Sequence, residues 1–183
     1  MPSSARYTNT SVSAANVSGF EISAGNWATG PQASAAVQST EQAHEGVNSL
    51  RITRSATASG YLVVCGNADY PVAASTSYIL DYWLYCTAAA GVLRIDTDWY
   101  TAAQAYISTT TGTSINAVQN TWTHAGPTTI SSPATAAFAR PALISASGTT
   151  TGDVIYLDEV YLYQRQWRHQ LQLPQGMNRA AGR

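Results

Sequence analysis

Two stretches of the chain carry side chains whose types and spacing suit ligand chemistry. In Ser77–Cys86 alternate positions hold Asp81, Trp83 and Tyr85, and in Gly91–Tyr100 they hold Arg94, Asp96 and Asp98. Rings, carboxylates and a guanidinium on one surface can stack on the apolar CH face of a sugar and hydrogen-bond its hydroxyl rim. The other reading is that Trp83 and Tyr85 pack under a loop or a neighbouring subunit. Asp96 and Asp98 also invite a glycosidase reading. Catalytic carboxylates, however, flank a glycosidic bond from opposite sides, about 5 Å or more apart. Two neighbours on one strand face suit solvated or ligand-binding acids better. His44, His124 and His169 are scattered, with His44 and His124 in expected loops. The chain has no nucleophile elbow, no His pair at metal spacing and no phosphate loop, so an enzyme is the reading the sequence favours least.

The elements that must position these residues are strands. In Ser77–Cys86, Tyr78, Leu80, Tyr82, Leu84 and Cys86 fall on one face and Ile79, Asp81, Trp83 and Tyr85 on the other, a period of two. The first set reads as core. Val92, Arg94, Asp96 and Asp98 likewise oppose Leu93, Ile95, Thr97 and Trp99. If neither strand is bulged, Asp81, Trp83, Tyr85, Arg94, Asp96 and Asp98 are expected to share one sheet face. Further strands are expected over 33–38, 49–53, 60–65, 105–109, from Thr121, over 138–145 and over 153–163, with Pro141 marking an edge or a bulge. Turns recur every eight to twelve residues, and no segment before residue 164 has a helical period. Such spacing points to an antiparallel sandwich or jelly roll.

Length and charge narrow the options. The 183 residues suit one domain with a tail, large enough to bury a core without metal or disulfides. Lysine is absent. Residues 1–163 hold five Arg against all ten acids, a net of −5, whereas 164–183 hold four Arg and no acid. An acidic domain is a poor nucleic-acid binder. No run of about 18 apolar residues suggests a membrane span, and the first residues, Met-Pro-Ser-Ser-Ala-Arg, lack an apolar signal core. Cys65 and Cys86 each end an apolar run. They would pair if their strands were neighbours, but two buried free thiols is the favoured reading. In the tail, Arg165, Trp167, Arg168, Leu171 and Leu173 give a basic arm with an apolar stripe, extended or helical. It suits strand addition or groove docking onto another copy or another protein.

The motifs together resemble the galactose-binding-like jelly rolls of the carbohydrate-binding module superfamily, the group containing families four, nine and twenty-two. The resemblance rests on Gly19-Phe20-Glu21 with Trp27, on Gly46-x-x-Ser49-Leu50-Arg51-Ile52 and on Tyr78-x-Leu-x-Tyr-Trp83-Leu. It continues through Arg94-x-x-x-x-Trp99-Tyr100, Trp122, Pro133-Ala134 and Ala139-Arg140-Pro141 to Tyr156-Leu-Asp158-Glu-Val160-Tyr-Leu162. It implies an all-β sandwich over 17–163, with a lead-in over 1–16 and an arm over 164–183. It also implies a structural Ca²⁺ held by Glu21 and Asp158, whose alternative is that these acids cap turns or pair with Arg. Phage tail and capsid accessory proteins often resemble these jelly rolls in lysine-poor, Ala/Thr-rich forms. The resemblance therefore carries two functional expectations. One is a non-catalytic virion component, a capsid decoration or minor tail protein, whose arm binds other virion proteins or its own copies. The other is an extracellular polysaccharide-binding module. The two are compatible, since a virion protein can carry a working sugar face.

Overall fold

The computed structural model describes residues 19–66 and 70–164. Their strands are, in chain order, β1 (Ala28–Thr29), β2 (Ala33–Ser39), β3 (Ser49–Arg54), β4 (Gly60–Val64), β5 (Tyr70–Pro71) and β6 (Ser77–Cys86). They continue as β7 (Val92–Tyr100), β8 (Tyr106–Thr110), β9 (Ile115–Asn116), β10 (Trp122–Ser131), β11 (Phe138–Ser147) and β12 (Val154–Tyr163). No helix occurs among the described residues. The strands form two antiparallel sheets. One has five strands in the order β10-β6-β12-β3-β2. The other has seven, in the order β1-β4-β11-β7-β8, with β5 beside β11 and β9 beside β7. The protein is thus an all-β antiparallel sandwich.

Alternation decides which side of each strand is inside. Along β6, Tyr78, Leu80, Tyr82, Leu84 and Cys86 are all buried, and along β7 Leu93, Ile95 and Trp99 are fully so. These residues meet Leu50, Ile52, Leu62, Leu143, Leu157 and Leu162 in one core between the sheets. Aromatic polar atoms inside that core find partners, as buried polar groups must. The Ile95 N–H donates to the Tyr82 hydroxyl across the sandwich at 3.0 Å, and Trp99 Nε1 donates to Thr110 Oγ1 at 2.8 Å. Burial pushes the Tyr82 phenol up to about 12, so it stays a neutral donor and acceptor. Cys65 and Cys86 are buried and form no disulfide; one follows β4 and the other ends β6, strands of different sheets.

Pro141 lies inside β11, a strand flanked on both sides, not at a sheet edge. Its carbonyl accepts the Cys65 N–H at 2.9 Å. In a regular strand a residue's N and C=O point the same way, so the ring nitrogen faces the interval where β4 has ended and β5 has yet to begin. The missing N–H therefore removes no ladder bond, and the strand behaves there as a local edge.

Candidate functional site

The six residues expected on one face lie on two. β6 belongs to the five-stranded sheet and β7 to the seven-stranded sheet. Each strand turns its apolar set inward, so Asp81, Trp83 and Tyr85 point out of one side of the sandwich and Arg94, Asp96 and Asp98 out of the other. The link over 87–91 carries the chain from sheet to sheet instead of closing a hairpin. Strand alternation was read correctly, but neighbours in sequence are not neighbours in this fold.

On the seven-stranded sheet, the outward residues form a trough. Asp96 and Asp98 are only 6% and 8% exposed although they face away from the core. Ala142 and Ile144, paired opposite Asp96 and Arg94, are buried too and lie outside the core cluster. Arg94 grips Asp96 through Nε at 2.8 Å and Nη2 at 3.2 Å, and the Gly112 N–H donates to the same carboxylate at 2.9 Å. Asp98 accepts the Thr109 hydroxyl at 2.5 Å, its one side-chain donor among the described residues, which leaves it acceptor capacity. Tyr61 on β4 stands in register with Ile144 and, beyond it, Arg94. Burial raises its phenol, and the Asp98 and Asp96 charges on the same sheet raise it further. Tyr100 and Tyr106 pack edge to face at 5.9 Å, and Tyr106 is 59% exposed. Arg140 sits over Tyr100, donating to its hydroxyl at 3.3 Å and to the Cys65 carbonyl at 2.9 Å. Tyr61, Tyr100, Tyr106 and Arg140 were not among the expected ligand residues. Tyr100 continues the outward alternation of β7 past Asp98, whereas the signal for Tyr61, Tyr106 and Arg140, positions on β4, β8 and β11, needs the strand order to be known.

On the five-stranded sheet, Trp83 is enclosed. His124 is its cross-strand partner on β10, and the imidazole stacks on the indole at 4.6 Å and 22°. From the opposite, β12 side comes His44, stacked at 3.7 Å and 15°. Each imidazole has a carboxylate: Asp81 on His124 at 2.5 Å, and Glu159 on Nδ1 of His44. Trp83 is therefore not the free stacking platform its alternation suggested. His124 lies in a strand, contrary to the sequence expectation of a loop, and Trp122-x-His124 alternation was the available signal for it. His44 had none, since it reaches Trp83 only through a long-range latch.

That latch is the turn over 41–48. Asp158, which is 0% exposed, accepts the N–H groups of His44 at 2.9 Å, Glu45 at 3.3 Å and Glu159 at 2.8 Å. Glu21 accepts those of Val47 and Asn48, both at 3.0 Å. Gly46 between them has φ +73, a conformation that glycine adopts without strain, and a Cβ there would displace the Glu21 carboxylate from the turn. Burial raises the Asp158 and Glu159 carboxyls despite their amide and imidazole donors, whereas the Asn48 N–H holds Glu21 low. Glu159, at φ +51, is part of a bulge where the β12–β6 register slips between Asp158 and Tyr161. Glu21 and Asp158 thus converge on one turn from opposite ends of the chain, and both carboxylates accept its N–H groups. No cluster of three or more His, Cys, Asp or Glu side chains suited to a metal occurs among the described residues. The arm residues Arg165, Trp167, Arg168, Leu171 and Leu173 lie outside the described residues.

No family model matches the chain, and no curated protein matches its sequence. Solved structures do match its fold. The C-terminal family 22 carbohydrate-binding module of Clostridium thermocellum Xyn10B is similar with a TM-score of 0.61 at 18% identity, over 80% of this chain and 91% of that one. A family 16 carbohydrate-binding module gives 0.57 at 14% identity, over 81% and 97%. The enzymatically active domain of tailspike protein 4 from bacteriophage CBA120 gives 0.61 at 13% identity, over 84% of this chain and 21% of that one. The chain has the β-sandwich jelly-roll fold of carbohydrate-binding modules.

Proposed function

We propose that this protein is a non-catalytic saccharide-binding module whose ligand lies in the trough of the seven-stranded sheet. The observation that carries the reading is the pair of outward carboxylates, Asp96 and Asp98, almost buried among Tyr61, Tyr100 and Tyr106. Tyr106 offers a ring face to a pyranose beside Tyr100, Asp98 accepts hydroxyl protons, and Arg94 and Arg140 keep donors at the trough walls. Two carboxylates offset by Arg94 and Arg140 leave the trough without net charge, which suits a neutral polysaccharide. A neighbour of the same fold is described as a xylan-binding domain, which makes xylan the first probe. In affinity electrophoresis against soluble xylan, mannan, β-glucan and galactan, Asp98→Ala and Tyr106→Ala should each weaken binding about tenfold while leaving the melting temperature within a few degrees. Wild-type retardation unchanged in both variants would overturn the reading.

The similarity to a phage tailspike domain favours a particular setting, a structural or adhesion accessory protein of a virion, with an extracellular module as the other. In the virion setting the arm over 164–183 binds other virion proteins or further copies of the chain. A protein truncated after Gln164 that still enters particles normally would refute that role. Glu21 and Asp158 would hold a structural Ca²⁺ that fastens the 41–48 turn.

A further inference from the structure

The outer surface of the five-stranded sheet carries a second aromatic row, separate from the trough and from the enclosed Trp83. The registers place Trp122 opposite Tyr85, Tyr85 opposite Tyr156, Tyr156 opposite Arg51 and Arg51 opposite Val37, one side chain from each of the five strands in a line. The rings touch in sequence: Trp122 and Tyr85 at 5.8 Å and 61°, Tyr85 and Tyr156 at 5.6 Å and 83°. His44 meets Trp122 edge-on, at 5.6 Å and 69°. The ring contacts of Trp122 among the described residues are therefore all edge-type, with no ring stacked parallel on it, and Trp122 and Tyr85 are half-buried.

The row ends in polar groups that are already organised. Tyr156 donates its hydroxyl to Glu41 at 2.6 Å, and Arg51 Nε donates to the same carboxylate at 3.1 Å. Arg51 also reaches Thr53 at 3.0 Å. The Glu41 side chain is 61% exposed and Arg51 29%, so both remain open to a ligand. The 41–48 turn that supplies Glu41 and His44 forms one bank of the row.

We propose that this row is a second saccharide-binding site, with Trp122 and Tyr85 stacking a neutral sugar ring and Glu41 and Arg51 reading its hydroxyls. A sugar is the occupant this chemistry recognises. The half-buried Trp122 and Tyr85 give it apolar contact, with Tyr156 buried between them and the row's end, and the paired Glu41 carboxylate and Arg51 guanidinium offer acceptors and donors without net charge. Because the two sites lie on opposite outer faces, one chain can hold two polysaccharide strands and cross-link them. Two sites acting on one polymer also raise avidity without any new contact.

The proposal stands apart from the trough, and the test separates the two. Wild type, Trp122→Ala, Trp122→Phe, Tyr85→Ala and Asp98→Ala are titrated with the same soluble xylan, mannan, β-glucan and galactan. Affinity electrophoresis reads binding, and turbidity reads cross-linking of the long polymers. Trp122→Ala and Tyr85→Ala should abolish turbidity and lower apparent affinity about tenfold, while Trp122→Phe keeps most of both. Asp98→Ala should abolish turbidity yet retain binding that Trp122→Ala then removes. Near-UV circular dichroism establishes that each variant is folded, and Tyr85→Ala decides the matter if Trp122→Ala is not. Wild-type turbidity and affinity in Trp122→Ala and Tyr85→Ala would overturn the second site and leave the trough standing. Asp98→Ala without effect, beside a Trp122→Ala that loses all binding, would overturn the trough alone. A wild type that binds none of the polymers overturns both.

Discussion

Asp158→Ala tests the latch. The side chain is inaccessible to water and accepts three backbone N–H groups, at 2.8 Å, 2.9 Å and 3.3 Å. Leaving a buried donor unsatisfied costs about 1–3 kcal/mol. Two of these donors, His44 and Glu45, sit in a turn that can rotate toward water, so the lower end applies to them. Removing a carboxylate that burial already disfavours returns part of the loss. The expected destabilisation is about 3 kcal/mol, or a melting temperature about 6–12 °C lower for a chain of this size. Thermal and guanidinium unfolding in EDTA would measure it, with hydrogen exchange at 44–48 as the local readout. Exchange there should accelerate, since the amides lose their acceptor. A loss below about 1 kcal/mol, with unchanged exchange, would refute the reasoning. Asp158→Asn adds the pH sign. The Asp158 carboxyl is raised in the fold. Its protonated form therefore contributes stability that is full below the unfolded value and is lost as pH rises through the folded one. The penalty for Asp158→Asn should accordingly shrink as pH rises through the carboxylate range.

Trp83→Ala should destabilise the fold by about 2–3 kcal/mol, because it leaves a gap between two imidazoles. Trough binding should persist, and a folded, fully stable variant in thermal unfolding would contradict the enclosed indole. Calcium should raise the melting temperature and EDTA lower it, by about 2.7 kcal/mol of stability when calcium is at a hundred times its dissociation constant. Identical melts in both would remove the metal from Glu21 and Asp158.

Much of the fold was legible because burial acts locally along a strand. β6 runs Ser77–Cys86, and β7 begins one residue inside its expected start. In β6 burial alternates with the pattern, and in β7 Leu93, Ile95 and Trp99 are buried as it requires, while Asp96 and Asp98 are buried on the outer face against it. The bulge in β12 left a trace too, since Asp158 and Glu159 together separate Leu157 from Val160 where strict alternation allows one residue. The site was half legible. Asp81, Trp83, Tyr85, Arg94, Asp96 and Asp98 all point outward, as their spacing requires.

Which outside they share was not legible. A two-residue period fixes the phase of a strand but says nothing about the sheet it joins, and that choice depends on how all the strands pack. It placed Trp83 and Asp98 on opposite faces. It brought Thr109 to Asp98 and set His44, 115 residues before Glu159, flat against Trp83. Sequence alone thus determined where most of the longer strands run and which of their side chains avoid the core. Only the tertiary structure decided which of them stand together, because pairing between strands distant in sequence is set by the packing of the whole core.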